Sequence, residues 1–298
     1  MSGRTDNRHR VATICRGATG LAHHTCLKWA AAGLITRQQP VPDAGGAAQR
    51  AFEAQMVHAL ANALRDDQRQ GTLLGFTRAV PGADGLVLGL HPGLADRVLG
   101  ALLPRMDDIY GGIRGVPGLR LAPQGREWVV GSVAGNAVVR LLHPDADWRP
   151  RLPDHADGLT QLWRRDRHRL HPAEAAELTA WTGRSGDPDR ARSQDWLLSR
   201  VLRRPQLLGV TTAAHGWANT YTHGSMDLVV EWCCAMEAAE LEQRLRRSGL
   251  AHRPPHVAEQ PRDRPWFGGE IGLGGAFVTV RRQTCPVGTG VVLGRRAV

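Results

Sequence analysis

Apolar residues recur at Phe52, Met56, Leu60 and Leu64, with Val57 and Ala63 beside them. That four-residue spacing draws one stripe along a helix ending before Gly71. From Thr72 the period shortens. Leu73 to Val80 and Leu86 to Leu90 read as strands, Pro92 to Leu103 as a helix, and Glu127 to Val133 with Ala137 to Leu142 as a strand pair. The same order returns near the C-terminus: a strand at Asp227 to Trp232, a helix at Met236 to Arg246, and two strands within Trp266 to Val280. Small markers recur with it. They are Asp84 and Asp227, Trp-x-x-Gly at Trp128 and Trp266, and a Val-rich strand running into Arg140 or Arg281. The pattern predicts an α+β fold with a duplicated strand-helix-strand-strand body, chance similarity in a Gly/Val-rich chain being the alternative.

Between the copies, helices are expected from Asp157 or Thr160 to Arg169, from Ala173 to Trp181 after Pro172, and from a Ser193 cap to Arg204. This insert interleaves Trp163, Trp181 and Trp196 with Arg164, Arg165, Arg167, Arg169, Arg203 and Arg204. Such a mixture either stacks on single-stranded bases or, the commoner arrangement, buries tryptophans while arginines stay in water. Pro40 to Gly46, with two prolines and paired glycines, has the composition of a linker. The expected units are residues 1–45, 46–150, 151–206 and 207–298.

Asn7 to Arg37 reads as short helices around a glycine turn. Gly20 supplies a residue tolerant of positive φ, and Cys15, Leu21, Cys26 and Trp29 fall where two helices would lock together. His23, His24, Thr25 and Lys28 then lie on the outward face of the second helix, with Arg37 just beyond. The run from Gly20 through Thr25 and Trp29 to Gly33-Leu34-Ile35 resembles the winged helix-turn-helix of MerR-like regulators and excisionase-like domains. The resemblance covers about 30 residues and lacks the family's Gly-Tyr-Arg wing after Ile35. It implies that the second helix enters the major groove of duplex DNA. It also implies that the helix over residues 47–66 pairs two subunits as a homodimer, unless that helix simply belongs to the core. The bland alternative for the first segment is a helical hairpin packed on the body.

The net charge is +10, and Lys28 is the only lysine among 38 basic residues. An arginine skew with abundant Ala, Gly and Pro is what a GC-rich bacterial genome produces by codon bias, so charge permits a nucleic-acid partner without proving one. The five cysteines, Cys15, Cys26, Cys233, Cys234 and Cys285, contain no C-x-x-C pair, so neither a disulfide framework nor a zinc ribbon is expected. No apolar run approaches the length of a membrane span, and the polar, Arg-punctuated start lacks an export signal's apolar stretch. A cytoplasmic location is the default expectation.

Chemistry-bearing residues are densest between His215 and Glu231, where His215, His223, Asp227 and Glu231 could supply an acid/base pair. No spacing there matches a metal motif, and no metal or cofactor is expected. Gly268 to Gly275 lacks the following helix of a phosphate loop. Signatures of P-loop ATPases, zinc metalloproteases and α/β-hydrolases are missing. Some MerR-like proteins carry tandem GyrI-like effector modules. By that resemblance Glu127, Trp128, Glu231, Trp232 and Trp266 would line a cleft for a cationic or amphipathic small-molecule effector. The expectation is a DNA-binding transcriptional regulator or mobile-element accessory protein with a ligand-sensing body. The rivals are an enzyme using the His215 to Glu231 cluster and a protein-interaction module.

Overall fold

A computed structural model describes residues 2–65, 73–109, 111–152, 158–165, 167–210, 216–223, 227–250, 266–273 and 276–283, with backbone only for 2–6, 223 and 266–273. The chain is an α+β protein. Its helices are α1 (Ser2–Thr19), α2 (His23–Ala31), α3 (Ala47–Ala63), α4 (Ala95–Leu102), α5 (Leu162–Arg165), α6 (Pro172–Gly183), α7 (Pro188–Leu202) and α8 (Ala238–Arg247). Strands β1 (Phe76–Pro81), β2 (Leu86–Leu90), β5 (Leu119–Gln124), β6 (Glu127–Ser132) and β7 (Val138–Leu142) build one sheet in the order β1-β2-β7-β6-β5. Strands β9 (Ala218–His223), β10 (Asp227–Cys233), β11 (Trp266–Leu273) and β12 (Ala276–Gln283) build a second, in the order β11-β12-β10-β9. The short strands β3 (Arg105–Asp107), β4 (Ile113–Arg114) and β8 (Leu159–Gln161) form a third.

The two larger sheets share one wiring. A hairpin (β1–β2, β9–β10) leads into a helix (α4, α8), and a later hairpin (β6–β7, β11–β12) inserts its last strand parallel to the second strand of the first hairpin. A parallel pair needs such a crossover, and a helix fills it. The registers agree only in part. Val87 stands opposite Arg140 and Glu231 opposite Arg281. Trp128 pairs with Leu141, one step beyond Arg140, whereas Trp266 pairs with Gln283, two steps beyond Arg281. The tryptophan markers are therefore one residue out of step with the arginine markers, and one step along a strand changes the face.

Helix α3 lies at the centre of the molecule. Phe52, Met56, Val57 and Leu60 are buried in the same continuous core as Leu197, Leu198, Val201 and Leu202 of α7, and both sheets contribute to it. Burial extends around α3 to Gln49, Glu53 and Gln55. Its apolar stripe is buried within the chain, which leaves Ala47, Ala48, Asn62, Ala63 and Arg65 as the exposed positions among the described residues of the segment 47–66 expected to pair subunits. Helix α7 starts at Pro188, earlier than the expected Ser193, because the Asp187 side chain accepts from the Asp189 amide and Pro188 occupies the first turn. Helix α5 stops at Arg165, short of the expected Arg169. Helix α6 begins as expected at Pro172, with His171 and Glu174 forming a reciprocal cap.

Of the insert's arginines, Arg164, Arg165, Arg167 and Arg169 are exposed, whereas the end of α7 corrects the expectation that Arg203 and Arg204 stay in water. Arg200, Arg203 and Arg204 are fully buried. Arg203 donates to both oxygens of Glu53 at 2.8 and 2.7 Å, and Glu53 also accepts from Ser199 Oγ at 2.6 Å. Arg200 makes a matching fork on Asp43 at 3.0 and 2.6 Å. Carbonyls of Val41, Pro42, Gly82, Ser248 and Leu250 take further donors of the three guanidiniums. Buried ions persist only when paired and fully hydrogen-bonded, and this cluster meets that condition. Burial, opposed by Asp43, still lowers the Arg204 pKa to about 9. Residues 40–44, which have a linker's composition, are thereby pinned: Val41 is wholly buried, and Gly249 is pressed against Pro40.

Candidate functional site

Helices α1 and α2 are joined by three residues, Gly20 to Ala22. Thr19 ends α1 by donating its hydroxyl to the Cys15 carbonyl at 2.8 Å and accepting from the Leu21 amide. Gly20 then turns the chain at φ +75°, and a Cβ there would stand 2.6 Å from the Thr77 carbonyl oxygen. Only glycine satisfies both constraints. Val11, Ala12, Cys15, Leu21, Cys26 and Ile35 make a small core between the helices, with Trp29 and Val80 against it. The Cys15 and Cys26 side chains are hydrogen-bonded to each other; that bond and burial push the Cys15 thiol well above its ordinary pKa.

Of the residues expected to read DNA, His24, Lys28 and Arg37 are exposed, and His23 and Thr25 are half-buried. His24 and Lys28 are four apart and share one helix face. His23 is tilted against His9, with ring centroids 5.9 Å apart. His9 and Arg10 of α1, Arg37, and Arg246 and Arg247 of α8 surround a cleft of about 750 Å³, with no carboxylate among its described lining residues. The α8 arginines were not anticipated, although the run Arg244, Arg246, Arg247 signals them. On another side of the hairpin, a groove of about 770 Å³ separates Trp29 and Leu34 from the β1–β2 turn and Val138. The outer face of α2 is therefore open to solvent.

The cluster expected to carry catalysis is not assembled among the described residues. His215 and the His223 side chain lie outside them. Asp227 is opposite His223 in the β9–β10 register, but Glu231 is four residues further along β10, roughly 13 Å away. Glu231 accepts from the Tyr221 hydroxyl at 2.8 Å and from Arg281 at 3.4 Å. Burial and Glu231 together raise the Tyr221 pKa. Among the described residues no three His, Cys, Asp or Glu side chains converge as metal ligands.

The expected ligand-binding set is also dispersed. Trp232 is fully buried and donates its indole N–H to the Met236 carbonyl at 2.9 Å, so it is a core residue. Glu127 pairs with Arg140 at 3.3 Å and Glu231 belongs to the Tyr221 group. Trp266 has no described side chain. Trp128 borders a cleft of about 660 Å³, and its neighbours there include Arg120, Trp163, Arg164, Arg167 and His168. No helix among the described residues is long and apolar enough to cross a membrane. In comparisons with protein-family models, curated proteins and solved structures, the chain matches none.

Proposed function

We propose that this protein binds duplex DNA through the basic face of the α1–α2 hairpin, as a regulator or mobile-element accessory factor. The observation supporting this most directly is the solvent exposure of His24, Lys28 and Arg37, the last of which shares a cleft with Arg10, Arg246 and Arg247. In this reading α2 enters the major groove with His24, Thr25 and Lys28 towards base edges, while Arg37 and the α8 arginines hold phosphates. The anchored segment 40–44 then fixes the hairpin's angle to the body, and the body's two like-wired sheets descend from one duplicated unit.

The test is a gel shift over a salt series, using duplexes selected from a random pool. A selected duplex should bind about 10³-fold tighter than random duplex. Combining Arg37→Ala with Arg247→Ala should weaken binding and flatten the log–log salt dependence by about two. His24→Ala should reduce discrimination between the two duplexes more than it reduces random binding. Equal, weak affinity for every duplex, unchanged by these substitutions, would reduce the basic face to codon-driven charge.

A further inference from the structure

The Trp128 cleft has a construction of its own. Its floor is the β5–β6 edge, where Pro123 stands opposite Trp128. Trp128 is braced edge-on by Trp148 at 6.4 Å, and Trp148 stacks on His143 at 4.6 Å with an interplanar angle of 19°. Trp163 lines the same cleft and packs against the core, and its neighbour Leu162 is buried, with its amide donating to the Pro104 carbonyl at 3.1 Å. The Arg164 guanidinium lies 4.7 Å from the Trp163 ring centroid. Both aromatic walls are thus fixed before any ligand arrives, which lowers the ordering cost of binding.

The sign of the charge at the mouth selects among ligands. Arg120 is already matched, forking onto Glu174 at 2.9 and 2.8 Å, and it donates to the Arg169 carbonyl at 2.8 Å. It therefore anchors the rim without offering a net charge. Arg167 and His168 are exposed on that rim, and no carboxylate is among the described lining residues. A cationic ligand would meet guanidinium at the entrance; an anionic one would be drawn in. The volume of about 660 Å³ falls within the range of small-molecule sites.

We infer that this cleft binds a planar aromatic anion, its ring against Trp163 and Trp128 and its phosphate or carboxylate at Arg167. This reverses the ligand charge expected from Glu127 and Glu231. The site lies apart from the basic face of the hairpin, so the two proposals stand or fall separately.

Isothermal titration calorimetry of the full chain with AMP, salicylate and tryptamine tests the assignment. AMP or salicylate should saturate the signal, and whichever binds tighter identifies phosphate or carboxylate as the preferred anion; tryptamine should bind about ten-fold or more weakly. Arg167→Glu should weaken the anion by a similar factor, Trp163→Ala should abolish saturation, and Trp163→Phe, which keeps a ring and guards against misfolding, should retain it. Duplex binding should be the same in all three variants. Tryptamine binding as tightly as the anions, no saturation with either anion, or indifference to Arg167→Glu would each overturn the assignment. A single-stranded oligonucleotide binding about 100-fold tighter than AMP would overturn it in favour of an extended strand.

Discussion

Arginine is put to opposite uses in two regions of this molecule. At the end of α7, Arg200, Arg203 and Arg204 are buried and spend their donors on Asp43, Glu53 and backbone carbonyls. Around the hairpin, Arg37, Arg246 and Arg247 are exposed and border an open cleft. The residue type is the same, and so is its codon economy. What differs is burial: Arg246 also pairs with a carboxylate, Glu242 one turn back on α8, but that pair sits at the surface, where it is screened by water. A basic composition is therefore divided between a buried architectural share and an exposed share on which the proposed duplex binding rests, and substitutions separate the two by whether they move stability or affinity.

The largest effect belongs to the buried fork. Arg203→Met leaves Glu53 charged and enclosed, and should cost about 3–5 kcal/mol in denaturant unfolding. Adding Glu53→Leu should restore most of that, because the unpaired carboxylate dominates the loss. An unfolding midpoint unmoved by Arg203→Met would erase the contrast between the two regions.

Next comes the turn between α1 and α2. Gly20→Ala puts a side chain at φ +75° and against the Thr77 carbonyl, at about 1–3 kcal/mol. Because the strain falls at the base of α2, duplex affinity should fall in protein that remains folded by circular dichroism. Unchanged affinity would show that the orientation of α2 is immaterial.

A third, smaller effect depends on pH. Burial and the nearby Arg184 hold the His58 imidazole below its ordinary pKa of 6.5. The unfolded chain therefore takes up a proton that the folded one refuses, and stability falls as pH drops below 6.5 towards the folded value. Burial raises the Glu174 carboxyl, but hydrogen bonds from Arg120, His171 and Gly118 outweigh it, and the net pKa lies below 4.5. Its contribution is complete above 4.5 and is lost as pH falls through the folded value. In melting curves across pH, His58→Gln should remove the upper decline and leave the lower one; loss of both, or of neither, would contradict this division.

The smallest stability change is expected at the exposed face. Lys28→Ala and Arg37→Ala should each move unfolding by no more than about 0.5 kcal/mol while lowering duplex affinity.

Much of the fold was legible where burial is one-sided or complete. The stripe of α3, the apolar runs of β2 and β10, and the strand pair β6–β7 follow directly from periodicity. Strand β9 is hidden in the sequence because Asn219, Thr220, Tyr221, Thr222 and His223 look like pocket chemistry; the β-propensity of Thr and Tyr is the signal that marks it. For the candidate site, local spacing was enough to place His24 and Lys28 on the outer face of α2. The Trp128 cleft is only half visible, since the resemblance pairs Trp128 with carboxylates and the structure supplies Trp163 and Arg167 instead. The buried arginines were illegible for a different reason: Arg200 and its partner Asp43 are 157 positions apart, and nothing local distinguishes them from solvated charges.

That separation bears on synthesis. The strap at Asp43 leaves the ribosome long before the guanidiniums that lock it exist, so the nascent hairpin must wait, tethered but unaimed, until α7 emerges. Stalled chains of increasing length should accordingly lose protease sensitivity around residue 43 only once Arg204 has cleared the exit tunnel.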